Sequence, residues 1–187
     1  MQLTPRPYSL NNPAGIYFVT FTVVFWLDVF VRAGYKELFV ESLNFCITNK
    51  GLRVHAWCLM SSHAHFIISA ANPQKINSSD IIRDFKKFTA GQIIREIEAG
   101  PESRQEWLLD KFRFAAEKNS RNITYQFWRQ NNHAEELISN KFQEQKLNYI
   151  HQNPVQEGWV EEAHHYLYSS VRNYSGLPGL VPIVFIS

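Results

Sequence analysis

Cysteine, net charge and long apolar runs are all scarce in this chain, and each scarcity excludes a class of protein. Two cysteines, Cys46 and Cys58, cannot build a disulfide framework. Both sit in apolar patterns, which predicts buried thiols in a reducing compartment and so a cytoplasmic location. The formal net charge of +2 is too small to argue for nucleic-acid binding by itself. Any basic surface must come from local clustering. No stretch approaches the roughly 20 apolar residues that span a bilayer, so no membrane partner is expected. Residues 16–27 are apolar but short, carry Thr20 and Thr22, and lack the charged start and small-residue cleavage site of a signal peptide. Glycine and proline number only 8 each in 187 residues, and there is no repeat or low-complexity tract. What is plentiful is apolar and aromatic residues, 45% and 14% of the chain, enough for one domain with a sizeable core.

That domain spans residues 1–187, with a proline-bearing N-terminal arm over 1–15 and a tail over 175–187. Residues 16–26 form a β-branched and aromatic run, read as a long strand with Tyr17, Val19, Phe21, Val23 and Phe25 on one apolar face. Residues 35–50 have helical spacing, with Gly51 as C-cap. Residues 52–59 and 63–69 read as two strands joined by a tight connection at 60–62. If Trp57 lies opposite His65, Val54, Ala56 and Cys58 share an apolar face with Ala64, Phe66 and Ile68. The other face then gathers His55, Trp57, His63 and His65. A long helix follows from Asn77 or Ser78 to roughly Ala99, with Ser78, Ser79 and Asp80 as possible caps, closed by Gly100-Pro101. A helix over 107–116, a strand over 123–128 and a helix from Ser139 to about Asn153 complete the pattern. Pro154 should stop or kink that last helix. The order β-α-β-β-α-β-α predicts an α+β fold, a ferredoxin-like antiparallel sheet with helices packed on one face.

Within that frame His63-Ala64-His65 carries the strongest chemical signal. Strand side chains alternate, so the two imidazoles point the same way with Cα atoms about 7 Å apart, close enough to converge on one ion. Tyr149 and Asn153 lie one helical turn apart on a shared face. Two imidazoles and one amide oxygen would make a three-ligand site with open positions for substrate oxygens, suited to Mn²⁺ or Mg²⁺. Such an ion acts as a Lewis acid on a phosphodiester, and a nearby tyrosine hydroxyl could attack in line to form a phosphotyrosine.

The segment Leu59-Met60-Ser61-Ser62-His63-Ala64-His65-Phe66-Ile67-Ile68 resembles the His-hydrophobic-His strand of HUH-type single-tyrosine transposases. Tyr149-Ile150-His151-Gln152-Asn153-Pro154-Val155-Gln156-Glu157-Gly158-Trp159-Val160 is similar to the catalytic-helix signature of one branch, the REP-associated tyrosine transposases. Tyr166-Leu167-Tyr168-Ser169-Ser170-Val171-Arg172-Asn173-Tyr174, Asp84-Phe85-Lys86-Lys87-Phe88-Thr89 and Phe127-Trp128-Arg129-Gln130 match that branch in type and order. Ser62 stands where asparagine is usual, and Ala64 where a larger aliphatic is usual. The resemblance implies that His63, His65 and Asn153 bind a divalent metal and that Tyr149 becomes linked to a DNA 5′ end. The implied substrate is single-stranded DNA with an imperfect hairpin, cut and rejoined in transposition by an HUH endonuclease associated with the nucleoid. It also admits a homodimer in which one copy's tyrosine helix serves the other's histidines. On the same reading Arg83, Lys86, Lys87, Arg129 and Lys146 contact DNA phosphates. Trp128 could stack on bases, and His55 is either a partner behind the metal ligands or a surface residue. His164-His165 reads as structural. Two other readings fit the same residues: a DNA-hairpin binding protein without catalysis, and a metal-dependent phosphodiesterase that uses water.

Overall fold

The structure is a computed structural model that describes residues 10–119, 124–130 and 133–186. Its centre is a four-stranded antiparallel sheet in the order β2-β3-β1-β4. The strands are β1 (Tyr17–Thr22), β2 (Leu52–Leu59), β3 (His63–Ala70) and β4 (His133–Glu136). Helix α1 (Ala33–Lys50) joins β1 to β2, and α2 (Ser78–Ala99) follows β3. Helix α3 (Gln105–Glu117) precedes β4, and α4 (Asn140–Gln156) and α5 (Val171–Tyr174) follow it. This is the α+β, ferredoxin-like arrangement that the sequence order predicts. Local signals explain most boundaries. Gly51 closes α1 in the left-handed conformation (φ 71°), and the Asn77 side chain accepts from the Ser79 amide to start α2. No helix among the described residues is long and apolar enough to cross a membrane.

The sheet is covered on both faces. Phe21, Phe39, Phe66, Phe85 and Trp57 join the large apolar core beneath α1, α2 and α3. The helices do not all lie there: α4 packs on the opposite face, where Ile150 meets Phe18, Ala56, Cys58 and Ile67. Unbroken alternation would leave that second face polar. A bulge between Val54 and Ala56 prevents this. It inserts His55 as an extra residue, so Cys58, not Trp57, lies opposite His65, and Trp57 pairs with Phe66. Trp57 therefore belongs to the large core and not to the histidine face, while Ala56 and Cys58 give α4 an apolar seat.

Three further expectations change. Strand β1 ends at Thr22, and a 3-10 turn, Val24–Trp26, swings Phe25 out of the core into solvent. Of the strand expected over 123–128, Ile123 lies outside the described residues, and the rest makes a single bridge from Trp128 to Val23. Phe127 and Trp128 are apolar because they plug the large core. The fourth strand is the polar His133–Glu136, which has no apolar alternation to announce it. Finally, α4 runs through Pro154 to Gln156. Proline there removes one amide from the last turn, and the Glu157 and Trp159 amides still reach the Asn153 and Pro154 carbonyls.

The aromatic-serine stretch closes the outer edge of β2. The Leu59 amide donates to the Tyr168 carbonyl, and Ser170 Oγ accepts from the Trp57 amide. Farther along the same strand, the Val184 amide of the tail donates to the Val54 carbonyl. These contacts occupy backbone groups that an open edge would offer to other chains. Both cysteines are free and buried, and burial pushes the Cys46 thiol up to about 11.

Candidate active site

The site forms where β3 enters the sheet and α4 crosses it. His63 and His65 lie on one face of β3, with ring centroids 4.8 Å apart. Ile150 is fully buried and anchors α4 against the smaller core. One residue away, Tyr149 lies edge-on to His65 at 5.2 Å between ring centroids and edge-on to Phe18 at 5.9 Å. One turn later Asn153 is buried, close enough to His63 for its side chain to oppose the lowering of that ring's pKa. The same chain thus brings its own tyrosine helix to its own histidines. Tyr149 is 41% exposed, and its hydroxyl has no hydrogen-bond partner among the described residues. It is neither packed away nor tied down.

Partners behind the rings set their chemistry. His65 Nδ1 lies 2.9 Å from Thr20 Oγ1, and His63 Nδ1 lies 3.2 Å from Ser62 Oγ. A proton on His65 Nδ1, given to the threonine oxygen, leaves a lone pair on Nε2. That Nε2 is buried with no partner, and so is Asn153 Oδ1. Buried polar atoms are normally paired. Both atoms have the chemistry of divalent-metal ligands, an imidazole nitrogen and a neutral amide oxygen. Burial first, then the neighbouring His63 and Lys146, lowers His65 to about 3. Burial also lowers His63, against the opposing pull of Glu157 and Asn153. Both rings are therefore neutral at pH 7, the form that ligates metals.

The other sequence-selected residues scatter. Lys146, one turn before Tyr149, pairs with Glu135 at 2.9 Å and lies 4.3 Å over the Phe18 ring. Lys86 and Arg129 meet at the rim near Thr22. Lys86 Nζ donates to the Arg129 carbonyl at 2.8 Å, and burial lowers its pKa to about 8. Arg129 is exposed and lines a groove of about 670 Å³ with Phe25, Trp26 and Lys118. Arg83 and Lys87 are exposed on α2, across the sheet from α4, and Arg83 is held by Asp80 and Asp84. Trp128 is buried, its indole donating to Thr89. His55 is not a partner of the histidine pair: its Nδ1 donates to the Val184 carbonyl and its Nε2 accepts from Ser69. The bulge explains both its burial and its misplacement. Glu162, His164 and His165 cluster at the surface, with ligand atoms within 4.8 Å of one another.

Three neighbours of the site are new. Thr20 faces His65 across the β1–β3 ladder. Glu157 supplies a carboxylate whose charge reaches His63. It lies one turn beyond Asn153, so Tyr149, Asn153 and Glu157 form an i, i+4, i+8 series that spacing alone could have revealed. Trp26 lies edge-on to His63 at 5.2 Å, and no periodicity marks it because its turn interrupts the strand.

No family model and no curated protein matches the chain. Among solved structures it is similar to a REP-associated tyrosine transposase bound to a REP hairpin. The TM-score is 0.61 at 16% identity, covering 100% of this chain and 94% of that one. The chain therefore shares its α+β fold with that solved structure.

Proposed function

We propose that this chain is a metal-dependent tyrosine transposase that cuts and rejoins single-stranded DNA beside hairpins through a 5′-phosphotyrosine. One observation carries the reading. An accessible tyrosine hydroxyl, two neutral imidazoles and a buried amide oxygen converge, with the ligating Nε2 and Oδ1 left unpaired. The similar solved structure, described as bound to a REP hairpin, supports the DNA assignment.

His63, His65 and Asn153 would hold Mn²⁺ or Mg²⁺, which when bound supplies Lewis-acid neutralisation of the scissile phosphate. Thr20 and Ser62 fix the two rings from behind. Tyr149 Oη attacks phosphorus, the P–O3′ bond breaks, and the 3′ oxygen leaves with a proton as a hydroxyl. Overall the Tyr149 hydroxyl proton is matched by the one the 3′ oxygen carries away, so the step balances without a net proton change. The phosphotyrosine keeps the energy of the broken bond, so a second 3′-hydroxyl can reverse the step and join a new strand. A cytoplasmic protein acting at the nucleoid suits that substrate.

Incubation with hairpin-bearing single-stranded DNA and Mn²⁺ tests this directly. A covalent protein–DNA adduct should form in the wild type and fall by more than about 10³-fold in Tyr149→Phe, with unchanged thermal stability. An adduct that persists in that variant removes Tyr149 as nucleophile. Hydrolysis that persists without any adduct identifies a water-using phosphodiesterase, and binding without cleavage under any divalent ion identifies a binding protein.

A further inference from the structure

One surface next to the histidines has no role in the chemistry above. The turn after β1 places two consecutive aromatic residues, Phe25 (φ 56°) and Trp26 (φ 57°), in the left-handed region. This conformation costs an ordinary residue roughly 1–2 kcal/mol. Burial does not repay it, because Phe25 is 48% and Trp26 55% exposed. Strain that holds large rings in water is a feature of functional surfaces.

Helix α3 continues the surface. Its inner face, Leu108, Phe112 and Ala115, packs into the large core. On its outer face Trp107, Lys111, Phe114 and Lys118 recur at offsets that keep all four on one narrow stripe. Trp107 is 47% and Phe114 45% exposed. The stripe meets the strained pair: the Phe25 and Phe114 rings lie 6.0 Å apart, and Lys118 Nζ sits 4.1 Å over the Phe114 ring. A groove of about 400 Å³ links Trp107 and Lys111 to Phe25 and Trp26. On the other side of the pair, the groove containing Lys118 and Arg129 continues toward Thr22, whose ladder partner is His63. Two nearby acids are engaged, Asp28 with Arg104 at 2.6 Å and Asp110 with Arg113, while Glu106 and Glu117 flank the stripe on the Asp110 side.

We infer that Trp107, Phe114, Phe25 and Trp26, with Lys111 and Lys118 between them, form a track for single-stranded DNA that delivers the scissile phosphate to His63. Alternating rings and ammonium groups match a polymer of stacked bases and phosphates. Duplex DNA has its base faces hidden and cannot use the rings. The track leads into the site at Trp26, which touches His63 edge-on. The inference rests on the proposed function for its end point, but its test does not.

The test measures equilibrium binding of the full chain to fluorescent oligothymidylate, and to a blunt DNA hairpin, with EDTA present so that nothing is cut. Trp107→Ala and Phe114→Ala should each weaken oligothymidylate binding about tenfold. They should leave blunt-hairpin binding within about twofold. Combined Lys111→Ala and Lys118→Ala should reduce the slope of log K against log salt by about 1.4. All four side chains are exposed, so the variants should melt with the wild type; Phe114→Leu, which keeps the apolar volume, should still lose affinity. Unchanged oligothymidylate binding, or equal loss on both DNAs, overturns the track. So does a change in molecular mass without a change in DNA affinity, which would make the stripe a contact between copies of the chain. Ring-dependent oligothymidylate binding in a chain that forms no Tyr149 adduct keeps the track and removes only the nucleophile.

Discussion

The two faces of the sheet are built from the same strands and differ in almost every physical respect. Beneath α1, α2 and α3 the contacts are rings and aliphatics: Phe39 lies against Phe30, Phe66 and Phe85. Beneath α4 the apolar cluster is small and edged by groups that must be paired: His65 with Thr20, His151 with Ser170, His55 with Ser69. One face maximises apolar burial. The other holds neutral imidazoles in fixed orientations at some cost in core size. The lesson is that the large core and the candidate site are separated by the pleat of β3, with Ala64 and Phe66 on one side and His63 and His65 on the other.

The largest expected effect tests the first face. Phe39→Ala removes a fully buried ring from the aromatic cluster, and should cost about 3–5 kcal/mol in denaturant unfolding. His65→Asn, on the other face, should cost markedly less, because it removes a polar ring whose Nε2 is unpaired. Equal losses would mean that the histidine face is a second structural core.

A smaller effect tests the second face. Thr20→Val keeps the volume and removes the oxygen that fixes His65. Metal affinity measured by Mn²⁺ titration calorimetry should fall about 10- to 100-fold. Unfolding free energy should change by less than about 1.5 kcal/mol. An unchanged Mn²⁺ affinity would show that His65 needs no partner to stay aligned.

How much of this was legible in the sequence follows from the same contrast. Features written in local spacing were readable: the shared face of His63 and His65, the Tyr149–Asn153 turn, the Gly51 cap, the order of elements. The features that escaped are set by events at a single residue. Nothing in the sequence around His55 signals an inserted position, yet that bulge moved Trp57 to the opposite face and gave α4 its seat. Phe25 continues an alternating pattern and leaves it only because the backbone turns at Val24. His133–Glu136 pairs with β1 through its backbone, and its polar side chains carry no strand signal. Thr20 could be found only once the β1–β3 register was known.

The smallest expected effect concerns His55, the residue that creates the bulge. With Nδ1 donating to the Val184 carbonyl and Nε2 accepting from Ser69, the ring must be neutral with its proton on Nδ1. Burial lowers its pKa below the usual 6.5, Arg53 adds to that, and the Val184 carbonyl opposes it. The unfolded chain therefore takes up this proton at a higher pH than the folded one. Above about pH 6.5 both states are neutral and His55 contributes no pH dependence; below it stability is lost until the folded pKa is passed. His63, His65 and His151 are lowered as well and add acid sensitivity of their own. The measurement is consequently a difference: denaturant unfolding of wild type and His55→Gln at pH 7.5 and pH 5. The variant should lose less stability over that interval, and the protection factor of the Val184 amide, with exchange corrected for its intrinsic pH dependence, should fall on acidification in the wild type only. A wild type and variant that lose stability in parallel would mean that the tail contact at β2 is indifferent to charge on His55. The tail would then be held there by contacts that do not titrate in this range, among them the Val184–Val54 backbone bond and the Ile186 amide donating to the Tyr174 hydroxyl.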